Sequence, residues 1–510
     1  AAQDLIGTVI IMPVNTWTWI AAHILLSPLP DIVAFVPEHE VRSLPGLGHG
    51  LDSRHFSGYI STTGGARRYH YWLVESEGSP SKDPLLMWMN GGPGASSVFG
   101  LLGELGPYLL NNQSFSVANK AAPRLFKNPH SWSKVANVFV LESPAGVGFS
   151  YCVEPEAPCT FDDKSTAEDN LDVLLKFMRL YPEFQSNPFF IVGESYGGVY
   201  VPMLAKLIDE LPVNAPVKPR LVGIGSGNGC VGYAGTPRTD SLRGFVDFMY
   251  GHGQISAAVS QAISAACGST LDSGAVAADF SPACLSAVSK FQKQLGTYMD
   301  MSIYSKCKDG QGNWTQGNWG ADGSDGAPPT FECNVDGAVK AWLQREDVQH
   351  ALHVNRSSAG VLPWNEWDGD WPLYKVTMPD VTEIYKNLST RYRVLIYSGD
   401  NDASIPYVST ARWVRSLALP LRGQEWRPWT VDGSRIAGHA SEYVGLDYLT
   451  VVGAGHMVPA ERPREAYEMI ARWLHNETWA EYGGACVPIW VGRGWLNPCS
   501  SEHNTDLLAV

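Results

Sequence analysis

Phe189-Phe-Ile-Val-Gly-Glu-Ser-Tyr-Gly-Gly198 reads as a buried strand that runs into a G-x-S-x-G turn, and the apolar spacing over 196–210 predicts a helix directly after it. In a nucleophile elbow the small residues on either side of the serine let the turn tighten until Oγ stands above the sheet. With 51 glycines in 510 residues the bare pattern arises cheaply, and alone it marks a structural serine turn about as often as a nucleophile. The strand before it and the helix after it supply the required context.

A serine at its free pKa is a poor nucleophile, so a real elbow needs an acid and then a base further along the chain. Both follow. Arg393-Val-Leu-Ile-Tyr-Ser-Gly-Asp-Asn-Asp402 sets Asp400 and Asp402 just past an apolar run, and Tyr448-Leu-Thr-Val-Val-Gly-Ala-Gly-His-Met-Val-Pro459 sets His456 just past another. Singly each is ordinary, because an Asp after a strand is commonly a turn former and most His residues are surface or satisfied core groups. Three candidates in the required order, each at a strand end where α/β sheets assemble their sites, carry the argument together. Acyl chemistry also needs an oxyanion hole, built from the N–H after the nucleophile and an N–H of a glycine-rich loop after an early strand. Trp88-Met-Asn-Gly-Gly-Pro-Gly94 fits the second role. A phosphate cradle fits it less well, since no Lys-Ser/Thr pair follows.

Working outward, apolar runs at 69–76, 85–90, 137–141, 189–193, 220–225 and 392–397 read as central strands, and 166–182, 196–210 and 463–475 read as helices. This alternation predicts a mostly parallel sheet with helices on both faces. It fails over about 230–340, where Ser, Ala and Gly become frequent and Cys267, Cys284, Cys307 and Cys333 cluster. That stretch is expected to be a cap insertion stapled by disulfides, because it has too little core of its own. The expected division is an N-terminal segment 1–37, an α/β-hydrolase core at 38–229 and 341–485, the cap at 230–340, and a tail at 486–510. The stretch 308–329, rich in Gly, Asp and Asn, is expected to be an exposed loop open to proteolysis.

Composition sets the class: 45% hydrophobic, 17% charged and 18 Trp describe a globular chain. A formal charge of −14 leaves no basic surface to neutralise phosphates, which argues against nucleic acid as a partner. Nine cysteines lack the paired spacings of zinc sites, so neither metal nor cofactor is expected, and disulfides in an oxidising compartment are the better reading. Cys152–Cys159 and Cys486–Cys499 are expected as local bridges and the four cap cysteines as two more, leaving Cys230 odd. Sequons begin at Asn112, Asn313, Asn355, Asn387 and Asn476 and agree with secretion. From Leu5 to Pro30 the chain carries no charge, and Ile20–Leu26 is apolar. This reads either as a signal-peptide remnant or as a docked arm, and the prolines argue against a membrane span.

The motifs Leu44-Pro-Gly46, Phe56-Ser-Gly-Tyr59, Asn90-Gly-Gly-Pro-Gly94, Glu104-Leu-Gly-Pro107, Glu142-Ser-Pro-Ala-Gly-Val-Gly-Phe-Ser-Tyr151, Gly193-Glu-Ser-Tyr196, Gly399-Asp-Asn-Asp402 and Gly453-Ala-Gly-His-Met-Val-Pro459 together resemble the serine carboxypeptidases typified by carboxypeptidase Y and cathepsin A. The resemblance implies Ser195, Asp402 and His456 as the triad, with Asp400 structural, and oxyanion donors on the backbone of Gly92 and Tyr196. It also implies that Asn90, Gly91, Glu104 and Glu194 bind a substrate's terminal carboxylate, and that Met457 is a further substrate-binding residue. Two carboxyls sharing one proton have one pKa raised by repulsion and can donate to an incoming carboxylate. The expected activity is therefore removal of C-terminal residues from peptides or proteins, favoured at acidic pH, in a vacuolar, lysosomal or extracellular setting. Acyltransfer and a protective binding role are the rival activities, and a homodimer is left open. Ala95 stands where the family usually has a bridged Cys, which would instead make Cys333 the odd thiol.

Overall fold

In the computed structural model the described residues are 36–114, 123–153, 159–232, 242–272, 280–296, 298–304, 335–354, 364, 373–481, 489–491 and 494–496. One twisted sheet organises them. Its strands in chain order are β1 (Glu40–Val41), β2 (His55–Ser61), β3 (Arg67–Val74), β4 (Leu85–Met89), β5 (Asn137–Leu141), β6 (Phe189–Glu194), β7 (Leu221–Gly227), β8 (Arg393–Gly399), β9 (Arg427–Thr430), β10 (Ile436–Tyr443) and β11 (Leu446–Val451). Across the sheet they lie in the order β1-β2-β3-β5-β4-β6-β7-β8-β11-β10-β9. The pairings β5–β4, β4–β6, β6–β7, β7–β8 and β8–β11 are parallel, and both edges are antiparallel.

The parallel strands are apolar along their whole length because both of their faces are covered. In β4, Leu85, Met87 and Met89 join one core cluster, while Leu86 and Trp88 join the other. The first face is covered by helices α1 (Asp163–Leu180) and α2 (Gly197–Asp209), with Thr382–Ser389 and Tyr407–Ser416. The second is covered by helices Val335–Leu343 and Pro463–His475. Helix α1 begins with a capping box: Asp162 accepts from the Ser165 N–H at 2.7 Å, and Ser165 Oγ accepts from the Asp162 N–H at 2.9 Å. The six predicted strands and three predicted helices are all present, with ends displaced by at most a few residues.

Helices α3 (Leu242–Gly251), α4 (Ala257–Cys267) and α5 (Pro282–Leu295) form a separate small cluster around Val246, Phe248, Ile263 and Phe291. The Cys267–Cys284 disulfide ties α4 to α5, and a second disulfide joins Cys152 to Cys159. Neither bond uses Cys230. Cys307, Cys333, Cys486 and Cys499 lie outside the described residues, as do the stretch 308–329 and the first 35 residues. Helix Val335–Leu343 crosses the expected cap boundary at 340, and its Ala338, Val339, Trp342 and Leu343 belong to the main core.

Candidate active site

The carboxyl ends of β6, β4, β8 and β11 meet at one place. At the end of β6, Ser195 has φ 58°, a left-handed conformation rare for a residue with a Cβ, held by hydrogen bonds on both sides. Its N–H donates to Gly227 O at 3.1 Å, and its carbonyl accepts from Gly198 N–H at 2.9 Å and Cys230 N–H at 2.9 Å. The turn therefore rests on the end of β7. Tyr196 stands at the N-terminus of α2, where unpaired N–H groups and the helix dipole favour negative charge.

The loop after β4 lies against this turn. A Cβ on Gly91 would come 2.3 Å from Tyr196 N and 2.7 Å from Ser195 Cβ, so only glycine permits the approach, and Gly92 has φ +107°. The two backbone segments expected to form the oxyanion hole are thereby adjacent. Asp402, fully buried after β8, accepts from three donors: His456 Nδ1 at 2.8 Å, Asn228 Nδ2 at 2.7 Å and the Ser404 N–H at 2.8 Å. Bonded to a carboxylate, His456 Nδ1 carries the proton and Nε2 is left as the basic nitrogen. Burial lowers the His456 pKa, but the charge and hydrogen bond of Asp402, with help from Glu104 and Asp300, leave it raised overall. Asp400, by contrast, faces away into a turn, accepting from the Gly453 N–H at 2.6 Å.

Glu104 and Glu194 are both buried beside this centre. Glu104 Oε1 accepts from Asn90 Nδ2 at 3.0 Å, and Asn90 is oriented by Trp88, whose indole N–H donates to Asn90 Oδ1 at 2.6 Å. The Oε2 atom of each glutamate is buried and has no partner outside the pair among the described residues. Burial raises both carboxyl pKa values, and the charge of Glu104 raises Glu194 further. The shared proton therefore sits on Glu194, hydrogen-bonded to Glu104. Met457, half-buried, follows His456 at the start of the short helix Val458–Glu461.

The serine carboxypeptidase family profile matches residues 45–476. The chain belongs to the serine carboxypeptidase family. It is 34% identical to serine carboxypeptidase 1 of Hordeum vulgare over 85% of this chain and 92% of that one. It is 32% identical to serine carboxypeptidase-like 20 of Arabidopsis thaliana over 91% and 99%. With the lysosomal protective protein of Mus musculus it shares 31% identity over 86% and 94%. A prohormone-processing carboxypeptidase of Saccharomyces cerevisiae has the same fold, with a TM-score of 0.64 at 18% identity over 87% of this chain and 97% of that one.

Within this carboxypeptidase fold the structure adds residues that sequence reading passed over. Asn228, just after β7, links the elbow to the acid: its Nδ2 meets Asp402 and its Oδ1 accepts from the Gly399 N–H at 3.1 Å. Trp88 was visible in the quoted loop, but its orienting role depends on the fold. The segment Asp300–Ile303, which leads out of the small helical cluster, is a third addition. Asp300 O accepts from the Ala403 and Ser404 N–H groups at 2.8 and 2.9 Å, Met301 O from the His456 N–H at 2.7 Å, and the Ile303 N–H donates to Asn401 O at 3.1 Å. Of the sequons, Asn387 and Asn476 are exposed and Asn112 lies on a short turn, whereas Asn313 and Asn355 lie outside the described residues.

Proposed function

We propose that this carboxypeptidase-family chain removes the C-terminal residue from peptides through an acyl-enzyme, with Ser195 as nucleophile, His456 as base and Asp402 as the group that orients the base. One observation carries the peptidase reading: the buried Glu104–Glu194 pair beside Asn90, two carboxyls that hydrogen-bond each other through one shared proton. Two acids buried side by side are costly unless a ligand uses them. A protonated Glu194 and the Asn90–Gly91 loop suit a peptide's terminal carboxylate, with Met457 beside them.

His456 Nε2 takes the Ser195 Oγ proton as Oγ bonds to the scissile carbonyl carbon, and the resulting oxyanion faces the N–H groups of Gly92 and Tyr196. Collapse expels the amine, which leaves with the proton from His456. A water then repeats the sequence, releasing the shortened peptide and restoring the serine. Rising pH strips the shared proton, so that two carboxylates face a third and binding weakens; this favours acidic conditions.

The two disulfides and the exposed sequon residues Asn387 and Asn476 support passage through the secretory pathway to a lysosomal, vacuolar or extracellular setting. No helix among the described residues is long and apolar enough to cross a membrane. The cap at 230–340 is proposed to line the side-chain subsites.

The test is a panel of peptides with free or amidated C-termini assayed across pH 4 to 8, the range in which carboxyl pairs and His titrate, together with fluorophosphonate labelling. Free peptides should be cleaved at least about tenfold faster than amides, in keeping with the loss of a charge-assisted hydrogen bond, and labelling should fall on Ser195. Equal cleavage of amides would remove the carboxylate reading. Preferential acyl transfer to an alcohol would replace hydrolysis, and an unlabelled Ser195 would remove the triad.

A further inference from the structure

Behind the proposed oxyanion hole lies a polar network with no counterpart in the triad or the carboxylate site. Asp163, the first residue of α1, is 1% exposed and collects five donors. Its Oδ1 accepts from Tyr196 OH at 2.6 Å and Tyr374 OH at 2.9 Å. Its Oδ2 accepts from the Thr377 N–H at 2.5 Å, Thr377 Oγ1 at 2.9 Å and the Met378 N–H at 2.6 Å. The rings of Tyr196, Tyr200 and Tyr374 pack edge to face, with centroids 5.2 to 6.2 Å apart. Tyr200 OH accepts from the Gly94 N–H at 3.2 Å, and its ring packs on that of Tyr374. Gly94 is thus held by Tyr200, which packs against Tyr374, and Tyr374 is held by the carboxylate.

We propose that Asp163 is a positioning residue for the oxyanion hole, clamping the Tyr196 side chain directly and the Gly94 end of the glycine loop through Tyr374 and Tyr200. The proposal rests on the assignment of Gly92 and Tyr196 N–H as oxyanion donors. One of these belongs to the residue whose hydroxyl Asp163 holds, and the other lies two residues before Gly94. The two donor segments come from different strands, β6 and β4. Backbone contact at Gly91 brings them together, and the network adds side-chain ties that lead from both to one buried anion. Hydrogen bonds in a dry network reinforce one another, and a fixed donor costs no reorganisation as charge develops. Burial, with the Asp163 charge adding to it at Tyr196, raises the pKa of all three tyrosines. The hydroxyls therefore remain donors over the working pH range.

The experiment compares wild type, Tyr196→Phe, Tyr200→Phe, Asp163→Asn and the Asp163→Asn/Tyr196→Phe double variant. It measures kcat and KM for a blocked dipeptide and Ki for a peptidyl trifluoromethyl ketone, whose adduct carries an oxyanion. Tyr196→Phe keeps every backbone N–H and removes one hydroxyl, so it stays informative even if Asp163→Asn does not fold. Its kcat should fall roughly tenfold to hundredfold, the scale of misplacing one donor, with KM within about twofold. Ki should rise by the same factor as kcat/KM falls, a correspondence that a merely structural role would not produce. The double variant should be no worse than the poorer single one. Unchanged kcat in Tyr196→Phe, a loss confined to KM, or additive losses in the double variant would overturn the proposal. Absence of fluorophosphonate labelling in the wild type would instead remove the triad reading on which it rests.

Discussion

Asn228 is the residue whose removal most directly tests how the acid is held. Two of the three donors on Asp402 share one oxygen, Oδ2, and deleting Asn228 Nδ2 leaves that oxygen to His456 alone. Asn228→Ala should lower kcat roughly tenfold to hundredfold, the effect of one lost buried charge-assisted bond, with unchanged peptide KM. Asn228→Asp should be worse, since a second carboxylate facing Asp402 raises the His456 pKa further and moves the acid limb of the rate profile to higher pH. A variant at wild-type kcat would mean that Ser404 alone holds the acid. Glu104 also acts on the base, because its charge is among the causes that raise His456. Glu104→Gln should therefore extend activity on a simple ester to lower pH, and the Glu104→Gln/Glu194→Gln pair should flatten the alkaline fall for peptides, because an amide donates without needing a shared proton. Unchanged profiles for both substrates would separate the pair from the chemistry.

The residues legible in the sequence were those with a local signature. Ser195, Asp402 and His456 each follow an apolar strand in a fixed chain order, and a strand end is readable from composition. Asn228 was not legible, because its role is a contact with a residue 174 positions away, and an Asn after a strand looks like any turn. Asp163 was hidden in the same way: its five donors come from Tyr196 and from the distant stretch 374–378, and no spacing announces them.

At the scale of elements, α3, α4 and α5 share a core much smaller than either face of the sheet, built around Val246, Phe248, Met249, Ile263 and Phe291, and such a core is marginal on apolar burial alone. The disulfide across 17 residues compensates. Replacing Cys267 and Cys284 by Ser should cost about 3 kcal/mol by the loop-closure argument. Hydrogen exchange should speed up over 257–295 while the sheet stays protected. Equal loss of protection in β6 and β8 would show that the small cluster and the sheet melt as one unit. The helices of the insertion were poorly legible, since runs of Ser and Ala carry neither a strong apolar stripe nor a strand alternation. The antiparallel edge β9–β10 was missed because its Gly, His and Ser residues dilute the pattern.

Across the whole molecule, buried acids and buried histidines oppose one another. Burial raises Glu142 from its ordinary 4.5 to about 7 and Glu461 to about 8, and it raises Glu104 and Glu194 as well. A folded state that holds protons the unfolded chain has released loses stability as pH rises from about 4.5 towards 8. Burial lowers His55 from 6.5 to about 3 and His70 to about 4. There the unfolded chain binds the extra protons, so stability falls as pH drops below about 6.5. The two slopes cancel in part between about 4.5 and 6.5. With four such acids against two histidines, Tm should fall gently as pH rises across that window, more steeply above it where only the acids act, and should fall again below about 4.5. Glu142→Gln should soften the alkaline decline. A Tm maximum near pH 8 in calorimetric scans would contradict the account.

The Asp300–Ile303 segment marks where the gene can be divided. Its four backbone hydrogen bonds tie the last described residues before 305 to the two loops that carry the acid and the base. Helix Val335–Leu343, the next described element, is anchored independently in the main core. A break anywhere in 305–334 severs none of these attachments. Two polypeptides, one ending and one beginning in that interval, carry complementary halves of a single catalytic centre: the first brings Ser195, the second Asp402 and His456, and neither half works alone. Co-expressed fragments should therefore reassemble into active enzyme, and dependence of activity on both concentrations would make the pair a reporter of proximity.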